Sequence, residues 1–268
     1  MKILEKYPIC DRCLGRLFAN LGRGWDNIER GRSLKIVVLM ELSRLFKEGE
    51  IDRDTLKIIA LNSGSIAKKI LEDLGLNVDE FSKCYICNSE IEELINKYTE
   101  LAIKKLTELG VEKFLIGVKP PKYITENEKK VAEEFEIPYW ESIRSELKRV
   151  IGKNIQAKTS FKPDFENPDV TLVIDMEKDE ITCIIPSLLI RGRYWKLGRR
   201  ISQSKWIKYD GTKKYPLSIE EVLENALSVT KSDKVIIHAA GREDVDVRML
   251  GNGRPAIFEY HRAFRRVI

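Results

Sequence analysis

The sequence lacks the features that mark several common protein classes. No apolar run approaches the length of a membrane-spanning helix, and the first residues carry no signal-peptide pattern. Only two histidines occur, and neither His238 nor His261 stands in a cluster of metal-binding residue types. No Gly-x-x-x-x-Gly-Lys-Ser/Thr segment is present, and Gly251-x-Gly253 is too short for a dinucleotide-binding loop. These absences favour a soluble, cytoplasmic protein.

Positive charge is concentrated in one segment. The 268 residues, enough for two domains, carry 47 basic and 42 acidic side chains and a net charge of +5. Nine of the basic residues fall between Arg191 and Lys214, where Asp210 is the one acid and four aromatic residues are interleaved. Cations neutralise phosphates and aromatic rings stack on unpaired bases, so the segment favours nucleic-acid binding over the alternative, an ordinary solvated basic face. The predicted contacts are Arg191, Arg193, Lys196, Arg199, Arg200 and Lys205.

Four of the five cysteines form two Cys-x-x-Cys pairs, Cys10 with Cys13 and Cys84 with Cys87. Two such pairs most often supply four thiolates to one tetrahedral zinc ion in a reducing compartment. The alternatives are coincidence, a disulfide or a redox motif, but thioredoxin-like chemistry needs only one pair and cytosolic disulfides are rare. We therefore predict a closed structural Zn²⁺ site. Cys183 lies in an apolar β-rich run and is predicted to be a buried strand residue.

Apolar periodicity predicts both helices and strands. Helical patterns cover about 34–46, 56–61, 65–74, 89–110, 125–135, 142–151 and 219–229. Capping boxes at Ser89, Thr125 and Ser218, and terminal glycines such as Gly152, mark the predicted helix ends. Strand candidates are 114–118, 170–176, 181–185, 234–237 and 257–258, of which the second and third form a hairpin. The predicted fold class is α+β.

A polar segment, from Ala239 to Pro255, contains three arginines, two aspartates and three glycines. It follows the strand candidate 234–237, and loops at the ends of buried strands commonly present reactive groups at the surface. In extended backbone, Asp244, Asp246 and Arg248 would share one face, and nearby guanidinium groups would keep a reactive carboxylate ionised. So many arginines argue against a metal-binding acidic pair. A salt-bridged turn without chemistry is the other interpretation of these residues.

The segment also resembles a known signature. Ala240-Gly-Arg-Glu-Asp-Val-Asp-Val-Arg248 and Leu250-Gly-Asn-Gly-Arg-Pro255 are similar to the motif of the Pus-ten type tRNA pseudouridine synthases of archaea and eukaryotes. Members of this family isomerise uridines of the tRNA T-loop, at family positions 54 and 55, without an organic cofactor. They also carry an N-terminal four-cysteine zinc site and a THUMP-type RNA-binding domain. The cysteine pairs and the stretches 190–200 and 204–206 look like those parts, so the resemblance covers nearly the whole chain.

The resemblance implies a role for several residues of the loop. Asp244 would be the catalytic aspartate, acting at the ribose C1′ directly or by helping to form a glycal. Arg242 would pair with it and help to hold the flipped nucleotide. Asp246, Arg248 and Arg254 would contact the substrate, a tRNA bound through its T-arm, and no membrane partner is implied.

The resemblance further implies a division into three parts: a zinc-knuckle helical region (1–88), a THUMP-like RNA-binding domain (89–207) and the first part of a mixed-sheet pseudouridine synthase domain (208–268). Family members continue well beyond the motif, adding further strands and an active-site tyrosine. We expect the 268-residue chain alone to be weakly active or inactive. A truncated gene product, a frameshift or a split gene would each explain the difference, and with a split gene a separate chain would supply the rest of the catalytic domain. The alternative function is a zinc-stabilised tRNA-binding module without catalysis.

Overall fold

Helices dominate the first half of the chain and strands dominate the second. The computed structural model describes residues 1–22, 24–76, 78 and 80–266. Its α-helices are α1 (Lys2–Lys6), α2 (Asp11–Leu17), α3 (Asn27–Lys47), α4 (Arg53–Ser63), α5 (Lys68–Asp73), α6 (Ile91–Leu109), α7 (Lys122–Glu134), α8 (Ile143–Lys158), α9 (Ile219–Glu224) and α10 (Leu227–Thr230). Within those described ranges, no helix is both long and apolar enough to cross a lipid bilayer.

The strands are β1 (Lys113–Lys119), β2 (Lys162–Pro163), β3 (Val170–Asp175), β4 (Glu180–Ile184), β5 (Leu188–Lys196), β6 (Ile201–Ser202), β7 (Leu217–Ser218), β8 (Lys234–Ala239) and β9 (Met249–His261). Parallel and antiparallel pairs both occur, as in β1 with β2 and β5 with β9. The predicted α+β class with mixed sheets is therefore confirmed.

The chain divides into two compact units. One comprises Met1–Leu101, Gly117–Asn154 and Ile174–Ile181, and the other comprises Ala102–Ile116, Ile155–Val173 and Thr182–Ile268. The division passes through α6, β1, α8, β3 and β4. The three-part division at residues 88 and 207 stays a prediction.

Two glycines allow α2 and α3 to pack closely in the first unit. A Cβ atom on Gly15 would lie 1.8 Å from the carbonyl oxygen of Asn27, and one on Gly31 would lie 1.8 Å from that of Asp11. Neither clash could be relieved by a side-chain rotation, because each would be with backbone. The sequence around these positions therefore fixes how near the helix that starts at the first cysteine pair approaches its neighbour.

Of the three predicted helix caps, Ser218 is confirmed as an N-cap, although the Glu221 carboxylate bonds to the Ser218 hydroxyl rather than to its backbone N–H. Ser218 accepts a hydrogen bond from the backbone N–H of Glu221 and begins α9. Ser89 lies two residues before α6, in left-handed backbone, and accepts instead from the N–H of Cys84. Thr125 lies inside α7, where its hydroxyl donates to helix carbonyls. Gly152 does not end its helix either, since α8 continues to Lys158.

A four-stranded sheet, in the order β2-β1-β3-β4, contains three of the predicted strands. Lys113 of β1 lies opposite Lys162 of β2 in a parallel pair. Strands β3 and β4 are neighbours in the sheet and are joined by residues 176–179, as the predicted hairpin requires.

A three-stranded antiparallel sheet, in the order β5-β9-β8, carries the loop of interest. The predicted strand 257–258 is the middle of the 13-residue β9, whose alternate residues Ala256, Phe258 and Tyr260 are buried. They pack with Val235 and Ile237 of β8 and with Ile219 of α9 in one apolar core. Strand β5 falls inside the predicted 89–207 segment, yet it hydrogen-bonds to β9 along most of its length.

Candidate active site and metal centre

The four paired cysteines converge on one point. The Sγ atoms of Cys10, Cys13, Cys84 and Cys87 all lie within 4.8 Å of one another, and those of Cys10 and Cys87 are 3.7 Å apart. Thiolates about 2.3 Å from a tetrahedral ion are about 3.8 Å apart, so this separation fits one shared metal ion. It is too long for a disulfide, and all four thiols are free. The prediction that the two pairs form one cluster able to hold a metal is confirmed.

Local backbone geometry positions these sulfurs. Cys10 is the N-cap of α2, in extended backbone, so Cys13 follows within the first helical turn. At the other pair, the hydroxyl of Ser89 accepts the N–H of Cys84 at 3.0 Å and steadies the turn. Hydrogen bonds from the thiols of Cys10 and Cys13 hold the pKa of the Cys84 thiol well below its ordinary value. Hydrogen bonds to the other three cysteines raise the pKa of Cys13 instead, so the thiolate, the form that binds metal, is favoured at Cys84 in particular.

Buried ion pairs join α2, the helix capped by Cys10, to other helices. Arg16 of α2 is 1% exposed, and its guanidinium lies 3.0 Å from the carboxylate of Glu128 in α7 and 3.1 Å from that of Glu146 in α8. Glu146 also accepts from Arg12 at 3.1 Å and from Asn27 at 2.9 Å. Burial raises the pKa of Glu128 to about 7, although the Arg16 charge opposes that rise. Sequence reasoning missed this network, whose partners are more than a hundred residues apart.

The loop with the aspartates is shorter than predicted. Strand β8 ends at Ala239 and β9 begins at Met249, so the second part of the predicted loop is strand. The N–H of Val247 donates to the carbonyl of Asp244 at 3.2 Å and closes a turn there. The prediction that Asp244, Asp246 and Arg248 share one face of an extended segment is wrong, because this turn replaces the extended backbone.

The carboxylate of Asp244 lies at an open cleft. Its Oδ1 accepts the N–H of Val245 at 2.8 Å, and the residue is exposed. The cleft has a volume of about 430 Å³, within the usual range of small-ligand sites, and is lined by Trp206, Tyr215, Arg242, Glu243, Asp244 and Val245. The loop thus presents a carboxylate, a cation and two aromatic rings to the same space.

Arg242 is held by an aromatic ring rather than by Asp244. Its guanidinium carbon lies 5.6 Å from the centroid of the Trp206 ring. The ammonium of Lys214 lies 3.9 Å from the same centroid, and the ring of Tyr215 meets Trp206 edge-on. Across the part of the chain that the structure describes, no ion pair joins Arg242 to Asp244, so the pairing expected from the resemblance is absent in this conformation.

A second buried polar network, centred on Glu243, lies beneath the Asp244 loop. Sequence reasoning did not single out Glu243. The hydroxyl of Tyr194 and the Nε of Arg254 each donate to Glu243 Oε2 at 2.9 Å. The ammonium of Lys196 lies 3.7 Å from Oε1. Burial acts to raise the pKa of Glu243, but the tyrosine and the two cations outweigh it and hold the pKa below its ordinary value. The one sequence signal that could have indicated Glu243 is its position between Arg242 and Asp244.

The predicted substrate contacts therefore separate into two groups. Lys196 and Arg254 turn their charged groups towards protein, so we no longer propose them as RNA contacts. Arg193 is exposed, although its guanidinium donates to two carbonyls of β9. Lys205 is exposed and pairs with Glu224. The remaining predicted contacts are all exposed: Arg191, Arg199, Arg200, Asp246 and Arg248.

Comparison with known protein families agrees with this arrangement. Residues 98–175 match the family model described as the archaeal Pus10 THUMP domain. Residues 189–268, which include β5, β8, β9 and the Asp244 loop, match the model described as the C-terminal part of Pus10.

Curated relatives extend the similarity to the cysteine cluster. The chain is 45% identical to the tRNA pseudouridine synthase Pus10 of Ignisphaera aggregans, over 99% of this chain and 62% of that protein. It is 39% identical to the Aeropyrum pernix protein of the same name, over 100% of this chain and 61% of that protein. The chain thus spans about three fifths of the length of these relatives. On these matches, and on the cysteine cluster and loop that accompany them, the chain belongs to the Pus10 family.

Proposed function

We propose that this chain acts in the isomerisation of uridine to pseudouridine in tRNA, with Asp244 as the nucleophile. The observation that carries the proposal is the exposed Asp244 carboxylate, held at a cleft that also contains Arg242 and Trp206. The names of the relatives support a tRNA substrate, and the THUMP match supports RNA binding. T-loop uridines at family positions 54 and 55 are the proposed targets.

The proposed reaction rearranges one glycosidic bond. The Asp244 carboxylate attacks the ribose C1′, or assists glycal formation, as the bond from C1′ to N1 of uracil breaks. The freed base turns, and C5 bonds to C1′ as the bond from C1′ to the Asp244 carboxylate breaks or, in the glycal route, as C2′ regains the proton that it lost. C5 then loses its proton and N1 takes one up, so that Asp244 is regenerated as a carboxylate. Reactants and product are isomers, so no oxidant, reductant or organic cofactor is consumed. The target nucleotide must leave its stack to reach the carboxylate.

The cleft offers two means of holding an extruded nucleotide. Aromatic rings accept stacked bases, and Trp206 and Tyr215 line the cleft beside Asp244. Arg242 and Lys214 lie near the Trp206 ring and supply positive charge for phosphates. A tRNA substrate makes the cytoplasm the proposed compartment.

We further propose that the cysteine cluster holds one structural Zn²⁺. Four thiolates with tetrahedral spacing are a donor set that zinc prefers, and no ligand position is left for chemistry. The ion would tie the start of α2 to the turn at 84–87. Metal analysis of freshly reduced protein is expected to give one zinc per chain, and a content far below that contradicts the assignment.

The test of the proposed reaction uses the full 268-residue chain and a T-arm RNA. Pseudouridine is mapped by chemical labelling and primer extension, for the wild type and for Asp244→Asn, and retention of the RNA is measured in parallel. The proposal predicts weak but measurable pseudouridine formation by the wild type only, and equal RNA retention by both proteins. Equal pseudouridine formation by both would contradict Asp244 as nucleophile.

A second candidate is a zinc-stabilised tRNA-binding module that needs a separate chain for catalysis. The cysteine cluster and the THUMP match favour it, because a metal-stabilised fold and RNA binding require no catalysis. RNA retention without pseudouridine from the wild type is its expected result. Restored pseudouridine formation on adding a polypeptide equivalent to the relatives' remaining residues would identify the separate partner.

A further inference from the structure

Lys196 occupies an unusual position for a lysine in a strand. It is the last residue of β5 and is only 1% exposed. Burying an ammonium group is costly unless every N–H finds a partner. In this structure the three N–H groups have three acceptors: the carbonyl of Asp244 at 2.7 Å, that of Ile201 at 3.2 Å and that of Val245 at 3.4 Å. All three partners of the ammonium are therefore backbone carbonyls, and two of them belong to the proposed nucleophile and the residue after it.

A break in the register between β5 and β9 precedes Lys196. Tyr194 lies opposite Arg254 of β9, but Lys196, two residues on, lies opposite Met249. The strands thus lose their regular register between these pairs, where Trp195 donates its indole N–H to the carbonyl of Gly251 at 2.9 Å. Tyr194 and Lys196 are both buried, whereas Trp195 between them is exposed.

The peptide after Val245 is held by a second donor as well. The carbonyl of Val245 accepts the N–H of Arg200 at 2.8 Å as well as the Lys196 ammonium. The N–H of Val245 donates to Asp244 Oδ1, so the carboxylate is oriented by a peptide whose position Lys196 fixes. Glu243, the residue before Asp244, supplies the nearest opposite charge at 3.7 Å.

We infer that Lys196 is a positioning residue for the proposed reaction: its buried ammonium fixes the two consecutive peptides that follow Asp244, Asp244–Val245 and Val245–Asp246, and so holds the carboxylate at the cleft. The inference rests on the proposed function of Asp244. It assigns to Lys196 no contact with RNA, because its charged group is enclosed by protein. Glu243 balances that charge, and Tyr194 and Arg254 hold Glu243 in place.

Lys196→Met removes the ammonium and keeps an unbranched side chain of similar length. A misplacement of about 1 Å at a reacting group lowers a rate by about 100-fold. We therefore expect single-turnover isomerisation of T-arm RNA to fall by about 100-fold, with the Kd for the RNA within about twofold of wild type. Lys234→Met is the matched control, since Lys234 is an exposed lysine on β8 of the same sheet. It is expected to match wild type in both rate and Kd.

Amide hydrogen exchange gives a readout that does not require activity. In Lys196→Met the amides of residues 240–248 are expected to exchange faster, while those of β8 and β9 keep their protection. Unchanged exchange in 240–248 overturns the inference, and so does a large rise in Kd with an unchanged rate for bound RNA. Faster exchange throughout the sheet would indicate that the variant does not fold.

A second variant then decides the question. Glu243→Gln keeps the size of the side chain and an acceptor for Tyr194 and Arg254, but leaves Lys196 without its opposite charge. It is expected to show the same local exchange pattern and a smaller loss of rate than Lys196→Met. Wild-type protein without isomerase activity would count against the proposed reaction, while exchange in 240–248 would still confirm or overturn the hold of Lys196 on the loop.

Discussion

The cysteine region and the Asp244 loop both bury charged side chains, but they use them differently. Around α2, the buried charges form ion pairs: Arg16 contacts Glu128 and Glu146, which lie on two other helices. Beneath the Asp244 loop, the buried ammonium of Lys196 instead donates hydrogen bonds to three backbone carbonyls. The first arrangement joins helices from distant parts of the chain, whereas the second fixes one short loop.

The difference follows from what each region must leave exposed. The helices around α2 can be held by side-chain contacts, because their functional groups, the thiolates, point inward. Asp244 must face solvent, so packing of its own side chain cannot hold it, and the backbone is held instead. Substitutions in the first region should therefore change stability, and substitutions in the second should change activity or RNA affinity at nearly constant stability.

The largest effect is expected from removing a cysteine ligand. In Cys84→Ser, bound metal should be lost and the thermal unfolding midpoint should fall steeply, because apparent zinc-binding free energies of about 10 kcal/mol or more couple to folding in such sites. Metal content and differential scanning calorimetry measure this. Cys183→Ser is the control, since Cys183 lies on β4 outside the cluster. Equal metal loss in both variants would contradict the four-cysteine site.

Breaking the buried ion pairs should come next. Arg16→Met leaves Glu128 and Glu146 buried without their guanidinium partner, and removing one member of such a group typically costs about 3–5 kcal/mol. Urea unfolding should report a loss of this size. Arg44→Met, which removes an arginine paired with exposed glutamates, should change stability little. Similar losses in the two variants would remove the distinction between buried and exposed pairs.

A pH dependence should mark the same network. Because burial raises the pKa of Glu128 to about 7 from 4.5, the folded protein keeps a proton that the unfolded chain has lost. This group therefore makes unfolding easier as pH rises from about 4.5 to about 7, by about 3 kcal/mol in total. Glu128→Gln should remove that decline in the unfolding free energy, whereas Glu133→Gln, at an exposed site on the same helix, should keep it. Parallel pH profiles for wild type and Glu128→Gln would contradict the raised pKa.

The smallest effect is expected at the cleft and should leave stability unchanged. Trp206→Leu removes a ring near two cations, and stacking of one base on an aromatic side chain is worth about 1–3 kcal/mol. Affinity for T-arm RNA should therefore fall by about tenfold. Trp25→Leu, at a tryptophan that is 65% exposed near the start of α3, should bind as wild type does. Equal losses would place RNA contact in both regions.

The sequence by itself determined the elements whose signals are local. The Cys-x-x-Cys spacing predicted the cluster, because two sulfurs three residues apart reach one ion from a single turn. Short apolar, β-rich runs located β1, β3, β4 and β8, and the motif around Asp244 located the loop. Local signals also misled: Ser89 has the spacing of a helix cap, but the turn of the second cysteine pair takes its hydroxyl.

Tertiary structure alone decided which charges are buried and what they hold. Arg16 and Glu146 are 130 residues apart in sequence, and Lys196 is 48 residues from Asp244. No sequence periodicity spans such distances. From the sequence, Lys196 is therefore interpreted as one more cation of the basic segment, and only the packing of the sheet shows that it is buried. The environment of an ionisable group depends on which strands and helices close around it. For that reason the sequence led to the proposal of Asp244 as nucleophile, and the fold led to the proposal that Lys196 positions it.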